Sequence, residues 1–391
     1  MSSYLIVFVV AAAVTFLATP LVRRFVIRVG AIYQPNDRSV HRVPLPTMGG
    51  IAMYVGFVFA LAVSRFLPFF GELNQINLWH STGALVTCTL ILGLGVIDDV
   101  RGTTALSKFI AQVFIAGVLV LFSVQVLYLW FPGLGVVVLS GDLPVIVTIA
   151  WAVTIPNAVN LVDGLDGLAA GMVAIAAAFF FAYVVLNPGV LGPASQAALL
   201  SAITAGICIG FLPWNFYPAK IFMGDAGSML LGMLLAIATI EGIGKNLTPP
   251  SGGDIAATAG ALAVPFLVLL IPAVDVVLAI VRRTRRGQPV GHADKEHLHH
   301  RLMEMGHGHR QAVLLMYLWS ALVSAGALAV GMIDGRLFVG LVVAGLILIG
   351  AAALLVITAL PRLARRRGDG HGPPETEEAA PDAPTDNVTA R

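Results

Sequence analysis

Asp98 and Asp99 stand side by side at the end of a long apolar run, in the stretch GVIDDVRGTTALSKFIAQ at 95–112. Adjacent carboxylates at a membrane boundary repel one another and are costly unless a cation compensates them. A hard divalent ion with oxygen ligands is the natural counter-ion. A helix cap, or pairing with Arg101, is the structural alternative. Lys108 opens the next apolar run and can meet a phosphate. Asn157, Asn160, Asp163 and Asp166 recur every three residues in NAVNLVDGLDGLAAG, 157–171. On a helical turn that spacing places them on one side, where amides and carboxylates can hold a metal and a polar ligand together. Asp225 lies between glycines in PWNFYPAKIFMGDAGSMLLG, 213–232, just ahead of another apolar run. It can cap that helix or bind a cation, and the two roles are compatible. Phe222, three residues earlier, can stack a base.

Two further segments carry chemistry. NDRSVHRVPLPTMGG at 36–50 offers Arg42, Thr47 and a Gly-Gly pair. Glycine permits close backbone approach, and amides at a helix start attract anions. The stretch RRTRRGQPVGHADKEHLHHRL, 282–302, gathers His297, His299 and His300. A zinc site would draw on cysteines or on more widely spaced histidines, so phosphate contact or proton handling fits better. The Arg282–Arg286 cluster reads as a basic anchor beside anionic lipid.

These residues need a scaffold, and the composition says which kind. The chain has 391 residues, of which 58% are hydrophobic and 11% charged. A soluble domain carries roughly 25% charged residues. Apolar runs of about 20 residues, the length that crosses a bilayer, recur down the chain. They predict an all-α polytopic membrane bundle of eleven spans, at 4–22, 48–68, 81–97, 108–128, 143–156, 166–187, 194–213, 226–243, 257–281, 312–331 and 336–360. The fifth is short, and Gly135–Ser140 is a candidate extension of it. Positive charge at Arg23 and Arg24 follows the first apolar run, whereas a secretory signal would carry it ahead. That run is therefore read as a retained helix. Cys88 and Cys208 fall in apolar runs and read as small buried hydrophobes.

Charge placement orients the bundle. Of the 23 Lys and Arg, only Arg65, Lys245 and Arg336 fall on the side of the even-numbered connections. Basic residues stay in the cytoplasm, so the N-terminus is expected outside and the C-terminus inside. Nine of the fifteen acids that precede the tail then lie in cytoplasmic loops. Residues 1–367 form the membrane domain; 368–391, rich in Pro, Gly, Ala and acid, read as a disordered tail.

PTMGG at 46–50, Asp98-Asp99, NxxNxxDGxDG at 157–167, FMGDxGS at 222–228 and the histidines at 297–300 occur in order on one expected face. Together they resemble the polyprenyl-phosphate N-acetylhexosamine-1-phosphate transferases, over about residues 20–310. HLHH preceded by DKE resembles the WecA and TagO branch, which uses UDP-N-acetylglucosamine. The MraY branch, which transfers phospho-MurNAc-pentapeptide, has three consecutive histidines and usually lysine where Arg42 stands. The resemblance implies that Asp225 binds Mg²⁺ or Mn²⁺ with Asp98, Asp99 and Asp163 nearby. It implies that Asp166 and Phe222 hold uracil. Asn157, Asn160, Asn215, Lys108, Arg42, Thr47 and His297 would line the substrate site, with His299 and His300 near the diphosphate. It further implies a polyprenyl phosphate acceptor, no nucleic-acid partner, a homodimer, and a place in the bacterial inner (cytoplasmic) membrane.

Three rivals are weaker. A secondary transporter would place its ionisable groups near the bilayer midplane, whereas these acids gather at one face. A prenyl synthase would show a DDxxD pattern, and Asp98-Asp99-Val100-Arg101-Gly102 lacks the third acid. An inactive scaffold would have no need of so complete an acid set.

Overall fold

A computed structural model of the chain describes residues 1–33, 44–71, 73, 78–131, 135–186, 195–242 and 308–331. All fall within one compact unit, Met1–Phe338; the second unit, Val339–Arg391, lies outside them. Arg42, His297, His299, His300, the ninth and eleventh predicted spans and the tail also lie outside the described residues.

The described helices are α1 (Ser2–Val29), α2 (Gly50–Ser64), α3 (Leu78–Arg101), α4 (Ala105–Leu121), α5 (Leu143–Val162), α6 (Leu168–Leu186), α7 (Gln196–Asn215), α8 (Gly224–Gly242) and α9 (His309–Gly331). Six of them, α1, α3, α5, α6, α7 and α8, are long and apolar enough to cross a membrane. Helices suit that setting because each satisfies its own backbone groups where water is absent. The chain is a multi-pass membrane protein, and the helices match their predicted spans to within a few residues, apart from longer ends on α1 and α5 and a shorter α2 and α4.

Local chemistry sets the ends. Gly30 closes α1 in the left-handed region, at φ 80°, and its N–H returns to the Val26 carbonyl. Glycine adopts that conformation without a Cβ clash. The Thr104 side chain accepts from Ser107 N at 3.2 Å and starts α4. Pro144 sits in the first turn of α5, where its missing N–H costs nothing.

At the centre stands α8, buried continuously from Ala226 to Gly242 and packed against α2, α3, α5, α6 and α7. Outer helices turn apolar side chains outward. On α1 these include Leu5, Val9, Leu17 and Phe25; on α4, Leu106, Phe109, Ile110 and Phe114. In water such faces would be a liability; in lipid they are the solvated surface.

Two expectations need correcting. The chain is mostly helical but not wholly so. Ile32–Tyr33 pairs antiparallel with Leu45–Pro46, and Tyr128–Phe131 with Gly135–Val138. The fifth span therefore does not recruit Gly135–Ser140; it grows at the other end, to Val162. The run that looked like part of a span is a β-ribbon of aromatic and β-branched residues, types that favour strands.

Candidate active site

The start of α8 lies against the start of α2 and the end of α3, held by glycines. A Cβ on Gly50 would fall 2.2 Å from Gly227 N, and one on Gly95 would fall 2.4 Å from the Ala226 Cα. Only hydrogen at these positions lets the backbones meet. The segment before α2 is also laced to the segment before α8. Phe222 N donates to Pro46 O at 2.9 Å, Gly49 N to Phe222 O at 2.9 Å and Gly50 N to Met223 O at 3.0 Å. Two motifs 176 residues apart, counted from 46 to 222, thus form one backbone ladder.

Asp98 and Asp99 belong to the last turn of α3, not to a loop, because nothing breaks the helix before Gly102. Their carboxylates part company. Asp99 caps α8: Oδ1 accepts from Asp225 N at 3.0 Å, Oδ2 from Ala226 N at 3.1 Å, and Thr47 Oγ1 donates to Oδ1 at 3.4 Å. A carboxylate here satisfies helix-start amides and opposes the positive end of the dipole. Gly224, at φ 70°, completes the cap, since a Cβ would meet the Asp99 carboxylate at 2.4 Å. The alternative that Asp225 caps the helix does not hold: Asp225 lies inside the first turn, and the cap comes from α3.

Asp98 turns the other way. Its Oδ1 accepts from Thr103 N at 2.7 Å and Thr103 Oγ1 at 2.6 Å. Its Oδ2 lies 2.6 Å from Lys108 Nζ, and the same ammonium lies 2.6 Å from Asp225 Oδ2. Asn160 donates to Asp225 Oδ1 at 2.6 Å and to Ser228 Oγ at 2.8 Å. Thr103 and Ser228 were not singled out in the sequence, although each stands next to a motif acid or inside its motif.

Asp163 follows α5 and joins the same cluster. Enclosure, then the charges of Asp225, Asp99 and Asp166, push its carboxyl up to about 8, although the residue as a whole is only half-buried. Four acids, Asp98, Asp99, Asp163 and Asp225, thus share the site with one ammonium among the described residues. Such a surplus of hard oxygen donors fits a divalent cation. No three Asp, Glu, His or Cys side chains gather at ligand distance among the described residues. An ion here would be held by Asp98 and Asp225 and keep waters or substrate oxygens for the rest, a coordination habit of Mg²⁺.

The remaining described candidates lie around this cluster. α5 ends at Val162, so the row of every third residue splits. Asn157 donates to Gln112 Oε1 on α4 at 2.6 Å. Asp166, 2% exposed, accepts from Ala219 N at 2.9 Å. Asn215, also 2% exposed, accepts from Gly167 N at 3.1 Å and donates to Ile221 O at 3.1 Å. Asp166 and Asn215 therefore clamp the connection between α7 and α8. Phe222 is half-buried, its ring edge-on to Tyr33 at 5.8 Å.

Known proteins resemble this chain over most of its length. The model of glycosyl transferase family 4 matches residues 81–243, from the start of α3 to the end of α8. The decaprenyl-phosphate N-acetylglucosaminephosphotransferase of Mycolicibacterium smegmatis is 42% identical over 373 residues, covering 92% of this chain and 88% of the relative. That of Mycobacterium tuberculosis H37Rv is 40% identical over 376 residues, covering 94% and 90%. The probable undecaprenyl-phosphate N-acetylglucosaminyl 1-phosphate transferase of Bacillus subtilis is 35% identical over 323 residues, covering 83% and 84%. Likeness of this extent runs through every element that builds the carboxylate cluster, and the chain belongs to the polyprenyl-phosphate N-acetylhexosamine-1-phosphate transferases.

Proposed function

We propose that the protein transfers N-acetylglucosamine 1-phosphate from UDP-N-acetylglucosamine to a polyprenyl phosphate and releases UMP. The observation that carries this reading is the convergence of Asp98 and Asp225 on the Lys108 ammonium, 2.6 Å from each, beside a helix start braced by Asp99. The named substrates of the mycobacterial and Bacillus relatives support the donor and the lipid. An oxygen of the lipid phosphate bonds to the β-phosphorus, and the bond from that phosphorus to the bridging oxygen breaks, sending its electron pair to UMP. A bound Mg²⁺ or Mn²⁺ supplies neutralisation of charge on the diphosphate oxygens. Asp98 and Asp225 would hold that ion, Asn160 orients Asp225, and Asp99 with Thr47 fixes the helix start. A phosphate monoester has a second pKa of about 6, so the acceptor is largely ionised and no strong base is required. His297, His299, His300 and Arg42 are assigned to the phosphates by the motif resemblance.

The bundle is read as eleven spans in a bacterial cytoplasmic membrane, N-terminus outside, with the site on the cytoplasmic face. Twenty of the 23 basic residues fall on that side, and the ends of α3 and α5 meet the start of α8 there. A phospho-MurNAc-pentapeptide donor is the second reading, favoured by the shared carboxylate motifs. Purified protein incubated with Mg²⁺, polyprenyl phosphate and each UDP-sugar separates the two. UMP release from UDP-N-acetylglucosamine alone is expected; release only from the MurNAc-pentapeptide donor, or none from either, overturns the proposal.

A further inference from the structure

The partners of three of the four acids in the cluster, Asp98, Asp99 and Asp225, are divided unevenly. Asp99 has both oxygens on α8 amides, so it cannot turn to a metal without uncapping the central helix. Asp98 and Asp225 each have one oxygen tied to the scaffold, by Thr103 and by Asn160 respectively. Each gives its other oxygen to the same ammonium. If Lys108 withdrew, Thr103 and Asn160 would still hold one oxygen of each carboxylate. The lysine is also the mobile member: it is a point charge on a flexible four-carbon stem, with three donors free to reorient.

We infer that the Lys108 ammonium occupies the divalent-cation position between Asp98 and Asp225, and that cation binding displaces it. The inference deepens the proposed function and rests on its assignment of a cation to this cluster. An ammonium and a divalent ion cannot both sit between the same two oxygens. Arrival of the ion therefore breaks two charge-assisted contacts and frees one positive charge within reach of the site. That charge meets the diphosphate that accompanies the ion. Lys108 is thus a competitor of the metal before the donor arrives and a phosphate contact afterwards. The exchange keeps the carboxylates paired at every stage, and it makes cation binding in the absence of donor weaker than the acid count alone implies.

Mn²⁺ titration of the purified full-length protein in detergent, without nucleotide or lipid, tests this by the paramagnetic signal of free Mn²⁺. Lys108→Gln is expected to bind Mn²⁺ about tenfold more tightly than wild type, since charge-assisted contacts of this kind no longer oppose the ion. Lys108→Arg, which keeps a competing charge, is expected to stay near the wild-type affinity. Lys108→Gln is also expected to melt at a lower temperature in chelator and to recover with Mn²⁺, which identifies the variant as folded. Unchanged or weaker Mn²⁺ binding in Lys108→Gln overturns the exchange, since a purely structural lysine gives that result. UMP release by wild type is measured on the same preparation. Turnover without the tightening in Lys108→Gln rejects the exchange and leaves the transferase reading standing. Tightening without turnover rejects that reading and keeps the ammonium at a cation site.

Discussion

The α3–α8 pair carries charge at both of its ends, in opposite ways. At one end His80 Nδ1 lies 2.7 Å from Glu241 Oε1, with Glu241 only 6% exposed. One histidine meets one carboxylate and ties the start of α3 to the end of α8. At the other end Asp98, Asp99, Asp163 and Asp225 gather, and Lys108 pairs with two of them, Asp98 and Asp225. The same helices therefore hold a matched pair at one end and an unmatched surplus at the other. A histidine and a carboxylate joined by one hydrogen bond can be purely structural. A surplus held in place by glycine contacts and a backbone ladder costs stability, and such a cost points to a ligand that relieves it.

Substitutions that remove one carboxylate from each end break the comparison most sharply. Asp225→Asn is expected to lower UMP release by about a thousandfold or more, the scale of losing a preorganised electrostatic contact at a phosphoryl-transfer site, with helical circular dichroism unchanged. Glu241→Gln at the far end is expected to leave turnover within about threefold. A thousandfold loss from Glu241→Gln would make the far pair part of the chemistry.

Next in size are the glycines of α3. Gly95→Ala drives a Cβ into the Ala226 backbone and is expected to cost about 1–3 kcal/mol, read as a lower melting temperature with lowered turnover. Gly93, two residues earlier, has nothing within 4 Å of its Cβ position. Gly93→Ala is expected to be neutral or to stabilise by up to about 1 kcal/mol through helix propensity. Equal losses at both positions would show that helix tolerance, and not the α3–α8 contact, sets the effect.

A further contrast concerns Asp163. Its folded-state pKa of about 8 exceeds the ordinary carboxylate value of about 3.9, so folding disfavours its charged form. The penalty is absent below about pH 4, grows as pH rises, and is complete above pH 8. In chelator, Asp163→Asn should therefore raise the melting temperature more at pH 9 than at pH 5, and added Mg²⁺ should narrow the difference. An equal shift at both pH values would place Asp163 outside the electrostatic surplus.

Hydropathy made the described spans legible, because lipid permits few alternatives to a helix. It misjudged where α3 ends. Asp98 and Asp99 lower the apolar count without breaking the helix, and Gly102 is the first residue that does. The ribbon at Tyr128–Val138 was hidden because YLWF and GVVV are as apolar as a span; the Pro132-Gly133 turn signal between them was the available clue. Among the site residues, Asp98, Asp225 and Asn160 were legible as a group. Their division of labour was not. Asp98 and Asp99 are indistinguishable by type and position, and only the packing of α8 decides which one caps it. Asn157 and Asp166 stand in the same motif as Asn160, and Asn215 lies outside it. They differ from Asn160 in what lies opposite: an amide on α4 or the backbone of the α7–α8 connection.

The cap on α8 has a practical consequence for how the enzyme meets its surroundings. A bare helix start attracts any small anion, including sulfate, inorganic phosphate and free nucleotide. Here the Asp99 carboxylate already takes the Asp225 and Ala226 amides and offsets the dipole. Buffer anions find no purchase at that end. Among the described residues, Lys108 and an accompanying cation are left to draw a phosphate to the cluster, so a small anion that arrives without a metal gains little from this helix start.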